Sequence, residues 1–572
     1  MKLNTYFFFR ITILIFLFVK TSSAQWSGST ALNTLVCNDL GKQIDLRMSE
    51  DGKGGAFVVW EDYRSSGGFG LPDIYIQYLD SAGYPHWEAN GIGLCKESSE
   101  QSTPAIVTDM SGGVIVAWSD WRSGIERDIY AQRINAQGLV MWTIDGVGVA
   151  NKLERENNAK IISDGAGGAI IVWEQLGNSG LWDLFAQRID SLGVPVWQLG
   201  GLPICTVNAQ KVNPKIQKDG KGGAIITWQD YRNLTDYDIY AQRLSPTGAL
   251  LWGVGAKAIC SAQGAQVDPK IDPDSITGGA YIVWIDKRNL TDYDIYAQKL
   301  DENGNILWAI DGLNVTNAIG NQSAHDILSN GSITNGLIVT WKDNRSGELD
   351  IYAQKLSPVG IKQWGNSDTP ICNSPSDQLN PNIVEDAAGG AIIVWEDYSS
   401  FIEKDIKSQR INSNGIIQWD LNGVFVSNAI ANQSSPKNIT DNKGGAIFAW
   451  QDKRNDANTE NDIYAHHLYA DGSFNMSINE KIGLPEIIVF PNPFIDDLNI
   501  LINLKSEEFI LVHLHDILGR QLSIGISKKY SSSNESLVMK IETEKTNLPA
   551  GIYFLKVNGA NWTKTIKVIK GK

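Results

Sequence analysis

The polar set that recurs most often in the 572-residue chain is Asp-x-Arg, at Asp62/Arg64, Asp120/Arg122, Asp230/Arg232, Asp286/Arg288, Asp343/Arg345 and Asp452/Arg454. A guanidinium beside a carboxylate can form a planar bidentate pair. Several such arginines meeting in one pocket would recognise an anionic sugar. Recurrence at regular intervals argues for a different use, a brace that serves every copy alike. An aspartate that opens the next segment (Asp73, Asp128, Asp183, Asp238, Asp294, Asp350, Asp405 and Asp462) is expected to join it. Two copies depart from the pattern, one with Gln175 and Gly177 and one with Ser399, and there the brace should be missing.

Other chemistries find less support. The histidines are His86, His325, His466, His467, His513 and His515, and none stands in a triad or metal-ligand motif. Carboxylates are plentiful, so a glycosidase pair needs only two that meet in space, and no spacing singles one pair out. Turns such as Asp219-Gly220-Lys221-Gly222-Gly223 offer one carboxylate each, whereas calcium takes roughly six to eight oxygens. Glycine in a tight hairpin accounts for them, and no cofactor is expected. If calcium were bound, the longer turns at Asp272–Ser275 and Asn330–Ser332 would be the places to look.

These residues ride on a repeat. A tryptophan returns at Trp60, Trp118, Trp173, Trp228, Trp284, Trp341, Trp395 and Trp450, 54 to 58 residues apart. Each copy reads as four short strands: a segment like Pro214-Lys215-Ile216, a Gly-Gly-led run into the tryptophan, an Asp-Ile-Tyr-Ala-Gln run, and a last run that starts near a second tryptophan. Numbering the copies one to eight by their first tryptophan, the expected fold is all-β, an eight-bladed β-propeller of four-stranded repeats. Unit eight lacks a second tryptophan and a fourth strand. Gln25-Trp26 to Val36-Cys37 resembles that missing piece and should close the ring, which removes both open edges. Cys37, Cys95, Cys205, Cys260 and Cys372 share one repeat position, held by Ala150, Thr316 and Ser427 elsewhere, and so read as buried packing residues rather than disulfides. The loops after the Asp-x-Arg set are longest in units one and eight. Arg64, Phe69, Asp456, Asn458 and Glu460 are therefore the candidate binding rim, on the face that carries the connections between units.

The formal charge is −15, and without the two ends the body stands near −20, which disfavours nucleic acid. Residues 1–24 read as a signal peptide, with an apolar stretch from Ile11 to Val19 and small residues Ser22-Ser23-Ala24 before Gln25. No later segment is apolar enough to span a membrane as a helix. The propeller is assigned to 25–478, a linker to 479–487 and a small β-sandwich to 488–572.

That last part carries Pro491-Asn492-Pro493-Phe494, Asp516-Ile517-Leu518-Gly519-Arg520, Leu548-Pro549-Ala550-Gly551-Ile552-Tyr553-Phe554 and a basic end. In this combination and order it resembles the type A sorting domain of the type IX secretion system, over residues 485–572. The resemblance implies export from a Bacteroidota-like bacterium through the translocon, removal of the domain by a sortase, and release or attachment to lipopolysaccharide. It makes Pro493, Gly519 and Gly551 turn residues. The expected protein is secreted or displayed on the outer cell surface as a monomer that binds a glycan or another surface protein. A carbohydrate-active hydrolase or lyase with carboxylates at the channel mouth is the alternative, and a structural surface protein the second.

Overall fold

The computed structural model describes residues 26–474 apart from 67–69, 151–153, 275–276, 330–335, 399–402 and 456–459, and residues 486–571 apart from 493, 496, 504–510, 517–519, 523–524, 531–535, 543–547 and 559–562. The expected signal peptide and most of the expected linker lie outside these residues. Two compact units divide the chain, Met1–Asn475 and Met476–Lys572. No helix among the described residues is long and apolar enough to cross a membrane.

Unit four shows why each repeat folds as it does. Its strands Lys211–Lys218, Ala224–Asp230, Asp238–Leu244 and Lys257–Cys260 pair antiparallel in chain order. β-Branched residues fill the second strand, where Ile225, Ile226 and Trp228 are fully buried. The sheet cannot bury both faces alone, so it packs on its neighbours. One apolar cluster joins Ile170 and Val172 of unit three to Ile226 and Trp228 of unit four, and similar clusters recur between other adjacent sheets. The core of this β-propeller is thus a series of slabs between blades.

Residues 34–468 form eight four-stranded sheets, and the last is completed from the other end of the chain: Thr34–Cys37 pairs with Asp462–Leu468, Thr34 opposite Ala465. The first strands of successive sheets pack side by side, and that of unit one meets that of unit eight. The second tryptophans set the spacing between blades. Trp87 donates its indole N–H to Ala136 O of the next unit (3.3 Å), Trp142 to Ser191 O (3.1 Å), and Trp26 closes the series onto Ser81 O (3.0 Å). The turn beneath each ring must be glycine: at Gly138, φ is +80° and a Cβ would lie 2.8 Å from Trp87.

In the C-terminal unit two four-stranded antiparallel sheets face each other across a core that includes Phe494, Leu498, Ile500, Leu514, Leu555 and Val568. Here the alternation read in Ile500-Leu501-Ile502 sends Ile500 and Ile502 inward.

Candidate functional site

The Asp-x-Arg brace is built as a joint between blades. In unit one Trp60 donates its indole N–H to Asp62 Oδ2 (2.7 Å), and Arg64 donates from Nε to Oδ1 (2.8 Å) and from Nη2 to Oδ2 (2.6 Å). Nη2 also reaches Asn90 O (2.7 Å) and Cys37 Sγ (3.2 Å), and the guanidinium lies 3.9 Å above the Tyr75 ring. Cys37 belongs to the preceding sheet, so the cysteine position has a role that packing alone did not suggest. Arg122 meets Cys95 and Arg288 meets Cys260 in the same way, while Arg345 finds Thr316 Oγ1 (3.2 Å). All five thiols are free and buried, and burial pushes that of Cys95 up to about 12. Arg64, expected at the rim, is engaged throughout in this joint.

Two expectations about the brace need correction. The strand-opening aspartates do not pair with the arginine. Five of them accept instead from the residue after it, as Asp238 does from Asn233 Nδ2 (3.1 Å) and Asp350 from Ser346 Oγ (2.6 Å). Of the two divergent units, unit three does lack the brace, its Trp173 Nε1 finding no hydrogen-bond partner among the described residues, whereas unit seven does not. In unit seven Lys407 replaces the arginine and lies 3.2 Å from Asp397 Oδ1. In unit three the opening Asp183 pairs with the fully buried Lys211 of unit four at 3.0 Å. In unit seven a charge removed from one strand is restored from another, because a buried carboxylate without a partner is costly, and in unit three Asp183 neutralises a buried ammonium.

The Asp-Gly-x-Gly-Gly turns use both carboxylate oxygens internally. Asp219 Oδ1 accepts from Lys221 N (2.8 Å) and Gly223 N (2.7 Å), and Oδ2 accepts from Arg243 Nε (2.9 Å). Unit eight substitutes His467 for that arginine, with Nε2 2.9 Å from Asp441 Oδ2. Among the described residues no three His, Cys, Asp or Glu groups could together hold a metal.

Sequence reading placed carboxylates at the channel mouth and missed the cations that gather there. Every first strand is broken near its start by a bulge whose third residue is left-handed: Asp45, Thr103, Asn158, Asn213, Asp268, Ala324, Asn380 and Ser435 have φ between 47° and 57°. Side chains of the previous blade hold this strained backbone in place. Glu61 Oε1 accepts from Thr103 N (2.6 Å), Glu174 Oε1 from Asn213 N (2.7 Å) and Glu396 Oε1 from Ser435 N (2.8 Å). Burial raises the Glu61 carboxyl to about 7. Two residues past five of the eight bulges stand Arg47, Lys160, Lys215, Lys270 and Lys437 (Ala105, Asp326 and Asn382 fill the other three), and the first four line a cavity of about 370 Å³ floored by Met48, Ile106, Ile161, Ile216 and Ile271. Burial, followed by the charges of Arg47 and Lys270, lowers Lys160, Lys215 and Lys437 to about 8. The only sequence signal was positional, a basic residue at one repeat position of the first strand in five of the eight copies.

At the rim, Phe69, Asp456 and Asn458 lie outside the described residues. Glu460 is exposed with φ 63°. The adjoining Asn461 O accepts from Gln43 N of unit one (2.8 Å), so the end of the unit-eight loop abuts the entry to the unit-one strand.

In the C-terminal unit Asn492 clamps the Pro-Asn-Pro segment to the last strand: its Nδ2 donates to Lys567 O (3.1 Å), and its Oδ1 accepts from Ile569 N (2.9 Å). Tyr553 donates its hydroxyl to Pro549 O (2.7 Å), and Gly551 is exposed. Pro491 is exposed too, while Pro493 and Gly519 lie outside the described residues. Residues 488–571 match the family described as a secretion system C-terminal sorting domain.

This module is a type IX secretion sorting domain. The sorting domain marks the protein for export to the cell surface or the medium and for handling by the secretion machinery. No curated protein matches the chain. Similar solved structures include a protein of unknown function from Dyadobacter fermentans (10% identity, 58% of this chain and 96% of that one, TM-score 0.32). Two others are an α-L-arabinofuranosidase from Fusarium graminearum (9%, 78% and 100%, 0.34) and a fucose-specific lectin from Aleuria aurantia (14%, 55% and 92%, 0.31). At such scores they carry no inference about activity.

Proposed function

We propose that the protein is an exported binding module whose propeller presents a glycan or surface-protein site on the face that carries the rim loops and the channel mouth. In this reading the mature body is 25–478, a monomer, and the translocon and sortase deliver it by way of residues 488–572. One observation carries the preference for binding over catalysis. Glu61, Glu174 and Glu396 are acceptors for the backbone of the next blade's bulge, as Glu174 is for Asn213, and the charged groups that line the cavity are cationic. A general acid or base has to be free to exchange a proton with substrate.

A hydrolase or lyase remains the second reading, on a specific ground. Glu61 and Asp272 are both raised to about 7 by burial, which is where an acid catalyst works. The test is a glycan array probed with the purified protein, with reducing-sugar release measured on every hit. Binding without release is the expected result. Release that disappears in Glu61→Gln or Asp272→Asn would replace binding with catalysis, and silence on both assays would remove glycans from the proposal.

A further inference from the structure

A chain with formal charge −15 has gathered four basic residues around one cavity. Their geometry is fixed in advance. Asn158 Oδ1 accepts from Lys160 Nζ, which also donates to Ala159 O (3.2 Å), and Asn213 Oδ1 accepts from Lys215 Nζ. Lys437 Nζ donates to Asn382 Oδ1 (3.3 Å). Arg47 Nη1 donates to Leu46 O (2.9 Å) and lies 2.7 Å from Asp45 Oδ1. An ammonium has three N–H groups, so Lys215 has donors left for something else. The anions facing these cations are Asp45, Asp268, Asp326 and Glu174, and His325, buried beside Asp268, is held neutral down to about 4. Burial first, and then the neighbouring positive charges, work against the charged form of these lysines, and a ligand anion would favour it.

Building on the binding reading, we infer that the channel mouth, at Lys160, Lys215, Lys270 and Arg47, takes the carboxylate of an acidic sugar. The cations meet the carboxylate, Asp45 and Asp268, which stand beside Arg47 (2.7 Å) and Lys215 (4.0 Å) outside the cavity lining, offer acceptors to ring hydroxyls at its edge, and the isoleucine floor receives an apolar sugar face. The cavity, about 370 Å³, falls in the range of small-molecule sites and suits one sugar residue better than a chain.

The experiment is calorimetric titration of the purified protein with galacturonate, trigalacturonate, galactose and inorganic phosphate. Galacturonate is expected to bind at pH 7 and galactose not to. Affinity should fall severalfold between pH 7 and pH 9, as Lys160 and Lys215 lose their protons, and at least tenfold in Lys215→Met. Lys160→Met and Lys270→Met are made in parallel in case one variant fails to fold, and Lys215→Arg should keep binding. Tighter binding of trigalacturonate would make a glycan end the source, and equal binding a free sugar acid. Phosphate or galactose binding as tightly as galacturonate would overturn the assignment, as would lysine variants that bind like the parent. Neutral glycans binding on the array without galacturonate binding would sink this inference alone and leave the binding module standing.

Discussion

Residue by residue, the most informative positions are those where the repeat breaks its own rule. Six units pair Asp with Arg two residues on, and Lys407 supplies the same charge to Asp397 from a neighbouring strand. Asp397 is fully buried, so the cation stabilises a carboxylate that water cannot reach. Lys407→Met should cost roughly 1.5–3 kcal/mol, read by chemical denaturation. Pairing it with Asp397→Asn should cost less than the two changes summed. Strict additivity would show that the pair does not interact. The six Asp-x-Arg braces could be read in the sequence because both partners lie two residues apart. The replacements at Lys407 and Lys211 could not, since only strand pairing and blade packing bring them to Asp397 and Asp183.

The element that matters most is the hairpin between the second and third strands. Pairing puts Asp120 directly opposite Asp128, and Asp286 opposite Asp294, so seven of the eight sheets close on two facing carboxylates, the exception being unit three, where Gln175 faces Asp183. Burial and then that nearby charge raise Asp128 to about 6, and Asp294 is raised as far. An unfolded aspartate titrates near ~3.9, so between the two values the folded chain holds protons that the unfolded chain lacks. Stability therefore rises as pH falls from about 7 towards about 5. The melting temperature is expected to be higher at pH 5 than at pH 7, and Asp128→Asn combined with Asp294→Asn to raise it at pH 7 and shrink the difference. A melting temperature that falls across this window in both proteins would rule the effect out.

On the scale of the whole molecule, stability depends on a strand contributed from the far end of the chain. Thr34–Cys37 completes the last sheet, Trp26 seats on the first, and Arg454 donates to Asn33 Oδ1 (2.8 Å). A protein lacking residues 25–37 should melt many degrees lower and expose an edge that associates; an unchanged, monomeric melt would refute the latch.

The sequence by itself determined the blade and its repetition, because the information is local: a tryptophan, a glycine turn and an aspartate fall within one hairpin and recur in every copy. It also determined the sorting domain, whose motif is contiguous. What the centre of the ring looks like was decided only by the tertiary structure. Arg47, Lys160, Lys215 and Lys270 sit in separate copies of the repeat, each beside unremarkable neighbours, and only ring closure gathers their charges around one cavity. Composition pointed to an acidic protein, and the fold placed a cationic pocket at its axis.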